Sequence, residues 1–272
     1  MSIEDFDFSI QLTDTMGWRL GEEDFEFVTE LEPDGCFVLY DASKRIGIAT
    51  TIGYDKIGWL GNVIVSERFR GRGAGTVLVK HCIDYLTSIG LETVGLYAYP
   101  ERVPFYQRLG FESSSKFIIL MGNGFSGPGK AYPEVSEDEI PEVINLDGRC
   151  FGSKRSKLLK PLLLDSSNMS FRYLDEGEIQ GFVLTKIYGD TAEIGPLVCK
   201  KGYTRSALDL IKCSLNSLQD IKVSICIPEQ ESEIYEVLTK LGFVEHFRVV
   251  RMLRGKQIDQ DCIYAAESLE RG

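Results

Sequence analysis

The chain is short of the residues that most often handle protons and metals near neutral pH. It has two histidines in 272 residues, His81 and His246, and neither sits in a motif. His81 lies beside an apolar stripe and His246 in the last strand-like run, so both read as structural. The seven cysteines (Cys36, Cys82, Cys150, Cys199, Cys213, Cys226 and Cys262) are an odd number and include no Cys-x-x-Cys pair. Six have mainly apolar neighbours, which predicts reduced core thiols and no metal site. No apolar run approaches the ~20 residues that a membrane span needs. Met1 to Phe8 carries Glu4, Asp5 and Asp7 with no basic stretch, so no secretory leader and a cytoplasmic location are expected. Positive charge is also scarce: 30 Lys and Arg stand against 41 Asp and Glu, a net charge of −11. That balance argues against nucleic acid and anionic membrane as partners.

The negative charge is concentrated. Residues 1–34 hold eleven acids and one base, Arg19, whereas the remaining 30 acids and 29 bases nearly cancel. This segment reads either as a solvated helix face or as a surface that steers a cationic amine. The length suits two domains of roughly 120 to 140 residues.

The most informative stretch is Gly61 to Leu86. Asn62-Val63-Ile64-Val65 is strand-like, Ser66-Glu67-Arg68-Phe69 is a charged turn, Arg70-Gly71-Arg72-Gly73-Ala74-Gly75 follows, and a helical pattern begins at Thr76. Three glycines in five positions let backbone N–H groups converge on one point. The helix N-terminus then adds its unpaired N–H groups and the positive end of its dipole, so the point suits an anion. There is no Gly-Lys-Ser or Gly-Lys-Thr for a triphosphate, and the charged turn separates strand from glycines as a dinucleotide site does not.

An Arg-x-x-Gly-x-Gly turn after Val63-Ile64-Val65 resembles the coenzyme A pyrophosphate loop of the GNAT superfamily of N-acetyltransferases. A second signature of that family follows one strand-helix unit later, at Pro104-Phe105-Tyr106-Gln107-Arg108-Leu109-Gly110-Phe111. The resemblance implies an α/β fold with a mixed sheet and acetyl-coenzyme A as donor. It implies that the N–H groups of Arg70, Gly71, Arg72, Gly73, Ala74, Gly75 and Thr76 take the pyrophosphate. The backbone of Val63, Ile64 and Val65 would pair with the pantetheine arm. Tyr106 matches the family tyrosine that protonates the departing thiolate. The family often places a coenzyme-contacting Asn seven residues earlier, and here that position is Tyr99. Acetyl would pass directly to a primary amine on a small molecule or peptide. Glu22, Glu23, Asp24 and Glu26 remain alternative bases, Trp18 and Trp59 could line the acceptor pocket, and Glu22 and Glu23 could meet a cationic acceptor. A non-catalytic acyl-coenzyme A sensing module is the competing reading.

Taken in order, Asp5 to Leu12 predicts a strand, Thr13-Asp14 a short helix ending at Gly17-Trp18, and Gly21 onward a second helix with Phe25, Val28 and Leu31 on one side. Strands are predicted at 36–40, 46–53 and 57–65, a helix at 76–89, a strand at 93–99, a helix at 104–109 and a strand at 111–121. Residues 122–134, with Gly122, Gly124, Gly127, Gly129, Pro128 and Pro133, read as a linker between a first unit, 1–121, and a second, 135–272. The second unit repeats the first: Leu109-Gly110-Phe111 returns as Leu241-Gly242-Phe243, and Leu60-Gly61 as Ile194-Gly195. Its loop, Lys200-Lys201-Gly202-Tyr203-Thr204-Arg205, keeps one glycine, and Leu238 falls opposite Tyr106. The layout therefore resembles two tandem GNAT folds, the C-terminal copy degenerate. Asp261 to Ala266 is expected to pack back on the sheet.

Overall fold

A computed structural model describes residues 1–18, 20–127, 129–258 and 261–272. Arg19, the one base of the acidic segment, and Pro128 of the predicted linker lie outside the described residues. The chain opens with two helices, α1 (Phe6–Asp14) and α2 (Glu22–Leu31). Strands β1 (Cys36–Asp41), β2 (Lys44–Gly53) and β3 (Ile57–Val65) follow, then α3 (Ala74–Ser88), β4 (Thr93–Ala98), α4 (Val103–Gln107) and β5 (Glu112–Asn123). The second half runs α5 (Ile140–Phe151), α6 (Ser156–Leu164), β6 (Met169–Asp175), β7 (Glu178–Tyr188), β8 (Thr191–Lys200), α7 (Thr204–Asn216), β9 (Lys222–Pro228), α8 (Ser232–Lys240), β10 (Val244–Arg254) and β11 (Cys262–Ala265). This is the mixed α/β repeat that the sequence predicts.

One element differs: residues 5–12 are helical, and so the expected short helix at 13–18 is the end of α1 and its turn. Phe6, Phe8 and Ile10 alternate as a strand would, but Phe6, Ser9, Leu12 and Thr13 form the buried face, at helical spacing. The start is fixed locally, because the Asp5 carboxylate accepts from the Ser2 N–H at 2.9 Å. Phe6 and Leu12 then bury against Phe25, Ile48 and Ile64.

Among the described residues all eleven strands join one sheet, in the order β1-β2-β3-β4-β10-β5-β9-β8-β7-β6, with β11 paired to β8. The halves exchange their last strands. β10 of the second half pairs antiparallel with β4 of the first, β5 of the first pairs with β9 of the second, and β5 and β10 pair with each other. Helices α3, α4, α7 and α8 cover one face, over Leu78, Leu96 and Met252 in the first half and Ile194, Leu210 and Ile225 in the second. Helices α1, α2, α5 and α6 cover the other. The segment expected as linker enters the sheet at both ends, where Gly124 bridges Gln219 and Glu134 bridges Phe171.

The cysteine expectation also needs correction. Cys150 of α5 and Cys262 of β11 pair as a disulfide because β11 lies beneath α5, while the other five thiols are free and buried. Among the described residues no helix is long and apolar enough to cross a membrane.

Candidate functional site

Strands β3 and β4 are parallel neighbours for only three residue pairs, ending at Trp59 opposite Gly95. Beyond that point they part, leaving the edge of β3 from Leu60 to Val65 unpaired toward β4. The far edge of β4 is occupied by β10. A parallel pair that opens in this way leaves a row of free N–H and C=O groups, which an extended ligand can satisfy as an added strand. The gap belongs to a cavity of about 800 Å³.

At the open end of β3 the glycine loop turns into α3. Gly71 and Gly73 take positive φ values of 73° and 87°, the left-handed region where a side chain is strained. Gly73 is the residue from which α3 starts, and its carbonyl accepts the Val77 N–H at 3.0 Å. Among the described residues, the N–H groups of residues 71–76 donate to no backbone carbonyl. Here is a cradle of unspent donors at a helix N-terminus, with Arg70 beside it. The Arg70 Nε donates to the Val65 carbonyl at 2.8 Å and its Nη2 reaches the Met16 sulfur at 3.6 Å. Arg70 thus ties the loop both to β3 and to the turn after α1. Gly75 faces α4, where a Cβ would stand 3.5 Å from Phe105 Cζ. These donors and the unpaired slot fit a pyrophosphate joined to an extended amide arm.

Tyr106 is buried in α4, its ring edge-on to Phe105 at 4.9 Å and to Phe111 at 5.8 Å. Its residue lines the cavity, and its hydroxyl has no hydrogen bond to a described residue. Burial pushes the phenol well above its ordinary value, the buried Cys82 adds to the rise, and Arg102 opposes it. The phenol therefore stays protonated. Tyr99 stands at the end of β4, where its hydroxyl accepts from Trp18 Nε1 at 3.1 Å. That bond holds the turn after α1 across the cavity.

The structure brings Val63, Ile64, Val65, Arg70, Gly71, Gly73, Gly75, Thr76, Tyr99, Tyr106 and Trp18 onto one wall system. Arg72 and Ala74 belong to the loop but lie off the wall, as do Glu22 and Glu23, which sit exposed at the start of α2. Trp59 is fully buried below the closed end, packed on Tyr97 and Phe151. Sequence reasoning missed Phe247 and Val249 of β10 and Leu269 and Glu270 of the C-terminal segment, all on the wall. The alternation of β10 predicts a face; nothing local says that this face belongs to the other half.

The second half carries the same framework with a different outcome. The turns after α4 and α8 coincide: Phe111 N–H donates to the Tyr106 carbonyl at 3.1 Å and Phe243 N–H to the Leu238 carbonyl at 3.0 Å. Leu238 is fully buried where Tyr106 meets the cavity. Strands β8 and β9 also part, after Ile194 opposite Ile225. Their gap is filled by β11, which pairs with Leu197 to Lys200, and the Ala266 N–H donates to the Cys226 carbonyl of β9 at 2.8 Å.

Known proteins give the framework its family. Residues 2–111 match the acetyltransferase (GNAT) family model and residues 143–265 a second acetyltransferase (GNAT) domain model. The chain is 26% identical over 267 residues to a holothin acyltransferase of Pseudoalteromonas sp., covering 94% of this chain and 87% of that one. It is 22% identical over 244 residues to the uncharacterized N-acetyltransferase YitH of Bacillus subtilis, covering 86% and 83%. Its fold is similar to a candidate acetyltransferase from Pyrococcus horikoshii, with a TM-score of 0.83 at 20% identity over 100% of this chain and 94% of that one. A tandem GNAT protein from the clavulanic acid biosynthesis pathway aligns with a TM-score of 0.61 at 13% identity, covering 94% and 95%. The chain is a tandem member of the GNAT superfamily, an acyltransferase built from two copies of that fold.

Proposed function

We propose that the chain transfers acetyl from acetyl-coenzyme A to a primary amine, using only the slot of its first copy. The observation that carries this reading is the continuity of the cavity, from the unspent N–H groups of residues 71–76, along the unpaired edge of β3, to Tyr106. The N–H groups hold the pyrophosphate, each charge-assisted bond contributing on the order of 1.5 to 3 kcal/mol. The edge from Val65 back to Val63 aligns the pantetheine arm, which directs the acyl end toward Asn62 and Gly61. The bound donor supplies a thioester that an amine can attack without a covalent enzyme intermediate. Tyr106, kept protonated by burial, gives the departing sulfur its proton. The first copy, 1–121, carries this site; 135–272 is a degenerate copy that holds no coenzyme.

The acceptor enters beside Trp18, Leu20, Phe247, Val249 and Leu269. Such walls favour a flat or apolar amine over a polyamine, and the carboxylates of Glu22 and Glu23 stand outside them. A relative spanning nearly the whole chain is named for acyl transfer to holothin, which favours transfer over a module that binds acyl-coenzyme A without turnover. The test is thiol release from acetyl-coenzyme A over a panel of apolar, aromatic and polycationic amines, with the native chain and Tyr106→Phe. Turnover concentrated on apolar amines and lost in the variant, with coenzyme binding kept in both, supports the proposal. Tight coenzyme binding with no turnover on any amine overturns it in favour of sensing.

A further inference from the structure

Of the two carboxylates that the described residues bring to the cavity wall, Glu101 is exposed near the start of α4, while Glu270 comes from the C-terminal segment of the second copy. The route of that segment places it. After filling the gap between β8 and β9, the chain crosses to the closed end of the first slot, where Trp59 Nε1 donates to the Leu269 carbonyl at 3.3 Å. The Tyr54 hydroxyl donates to the Arg271 carbonyl at 2.7 Å. Between these two anchors, Glu270 passes so close to β3 that a Cβ on Gly61 would stand 2.4 Å from its carbonyl oxygen. Only glycine at 61 admits this approach. Gly61 immediately precedes Asn62 and Val63, the part of β3 toward which the acyl end is directed.

The neighbouring charges are committed elsewhere. Lys186 of β7 pairs with Glu267 at 2.5 Å and with Glu193 of β8 at 2.8 Å, and Arg271 pairs with Glu267 at 3.1 Å. Glu270 makes no ion pair and no side-chain hydrogen bond with another described residue. Its residue is half-buried, and its carboxylate oxygens are not among the sealed polar atoms. A partly exposed carboxylate without a counter-ion, on a residue of the cavity wall, can accept a proton there.

We propose, resting on the acyl-transfer reading above, that Glu270 is the general base of the first copy's reaction, delivered to it by the tail of the second. As the amine nitrogen forms its bond to the acyl carbon, one N–H proton passes to Glu270. The carbon–sulfur bond breaks, the sulfur keeps the electron pair, and it takes the Tyr106 proton. Glu270 then releases its proton to water as water reprotonates Tyr106, so a neutral amine and a thioester become an amide and a thiol. The charges facing Glu270 from the packed elements are Glu193 of β8, Lys186 of β7, and Glu267 and Arg271 of its own segment. Burial first and Glu193 second raise the Glu270 carboxyl above the usual carboxylate range, against Arg271, its own N–H and Lys186. Its working form is thus lost as pH falls through a raised value.

The experiment compares the native chain, Glu270→Gln and Glu270→Asp, using one aromatic amine throughout. It reads kcat/KM against pH, coenzyme affinity, the melting temperature, and the carbon-13 titration of labelled glutamate carboxyls without ligand. The expected result is a native acid limb matching one titrating carboxyl that is missing from the Gln variant. The Gln variant should also lose about 10²-fold in kcat/KM, with coenzyme affinity and melting temperature held and partial recovery in the Asp variant. A Gln variant that keeps the limb, whatever its rate, overturns the assignment while the transfer reading stands. A native chain that binds coenzyme and acetylates nothing overturns the reading and the base together.

Discussion

The slot between β3 and β4 and the slot between β8 and β9 open at the same point of the same framework, yet one is a cavity and the other is solid. In the first, β3 parts from β4 after Trp59, and its loop offers N–H groups from two left-handed glycines. In the second, β8 parts from β9 after Ile194, and β11 takes up the freed edge. The close approach of backbone is repeated: a Cβ on Gly195 would stand 1.9 Å from the Ala266 carbonyl, as one on Gly61 would clash with Glu270. Opening a parallel pair is therefore a property of the fold, and what fills the opening decides whether the copy can take a ligand. The segment that fills the second slot also forms the floor of the first.

The buried charges that pin this segment offer the strongest perturbation. Lys186→Met leaves Glu267 with Arg271 alone and Glu193 without its partner, and since a buried charge left wholly unpaired costs about 3 to 5 kcal/mol, this change should cost up to about 3 kcal/mol. Urea unfolding should show it as a lower midpoint with coenzyme binding retained in the folded fraction. Burial alone would raise Glu267, but Arg271 and Lys186 hold its carboxyl far below the usual range. Next in size, Tyr106→Phe should lower kcat by at least about 10²-fold, or about 2.7 kcal/mol in barrier, at unchanged coenzyme affinity. The corresponding exchange in the second copy, Leu238→Tyr, should add no activity and should destabilise the chain by about 1 to 3 kcal/mol through overpacking.

A smaller effect concerns the rim of the first copy. Glu32 is drawn upward by burial, but Lys157 at 2.6 Å, Tyr85 at 2.6 Å and the Gly53 N–H hold its carboxyl below its ordinary value. A carboxyl lowered on folding stabilises above its unfolded value, and that contribution is lost as pH falls through its folded value. Glu32→Gln should thus cost about 1 kcal/mol or less at pH 7 after solvent screening. The difference from the native chain should shrink progressively below the unfolded value in urea midpoints measured against pH.

Much of this was readable in the residues. The glycine loop, the Tyr106 signature and the internal repeat are local patterns, because turn geometry and helix periodicity depend on near neighbours. The helix at 6–14 was hidden by an alternation in which Phe8 and Ile10 stand on partly exposed positions and Ser9 and Thr13 on buried ones. The exchange of β5 and β10 was not legible, since both strands have the right pattern for either neighbour and pairing is chosen by the tertiary fold. Glu270 had no signal at all. Its position depends on where the chain goes after Ala266, which is set by anchors from Lys186, Trp59 and Tyr54, each far away in sequence.

The most direct test is the number of coenzyme sites per chain, measured by isothermal titration with acetyl-coenzyme A on the native chain, Gly73→Glu and Gly202→Glu. The two glycines are matched: both are exposed, both have positive φ, at 87° and 91°, and neither has an atom within 4 Å of an added Cβ. One site per chain, abolished by the change at Gly73 and untouched by the change at Gly202, is the predicted result. Two sites per chain, or a single site that survives at Gly73 and is lost at Gly202, would contradict the account.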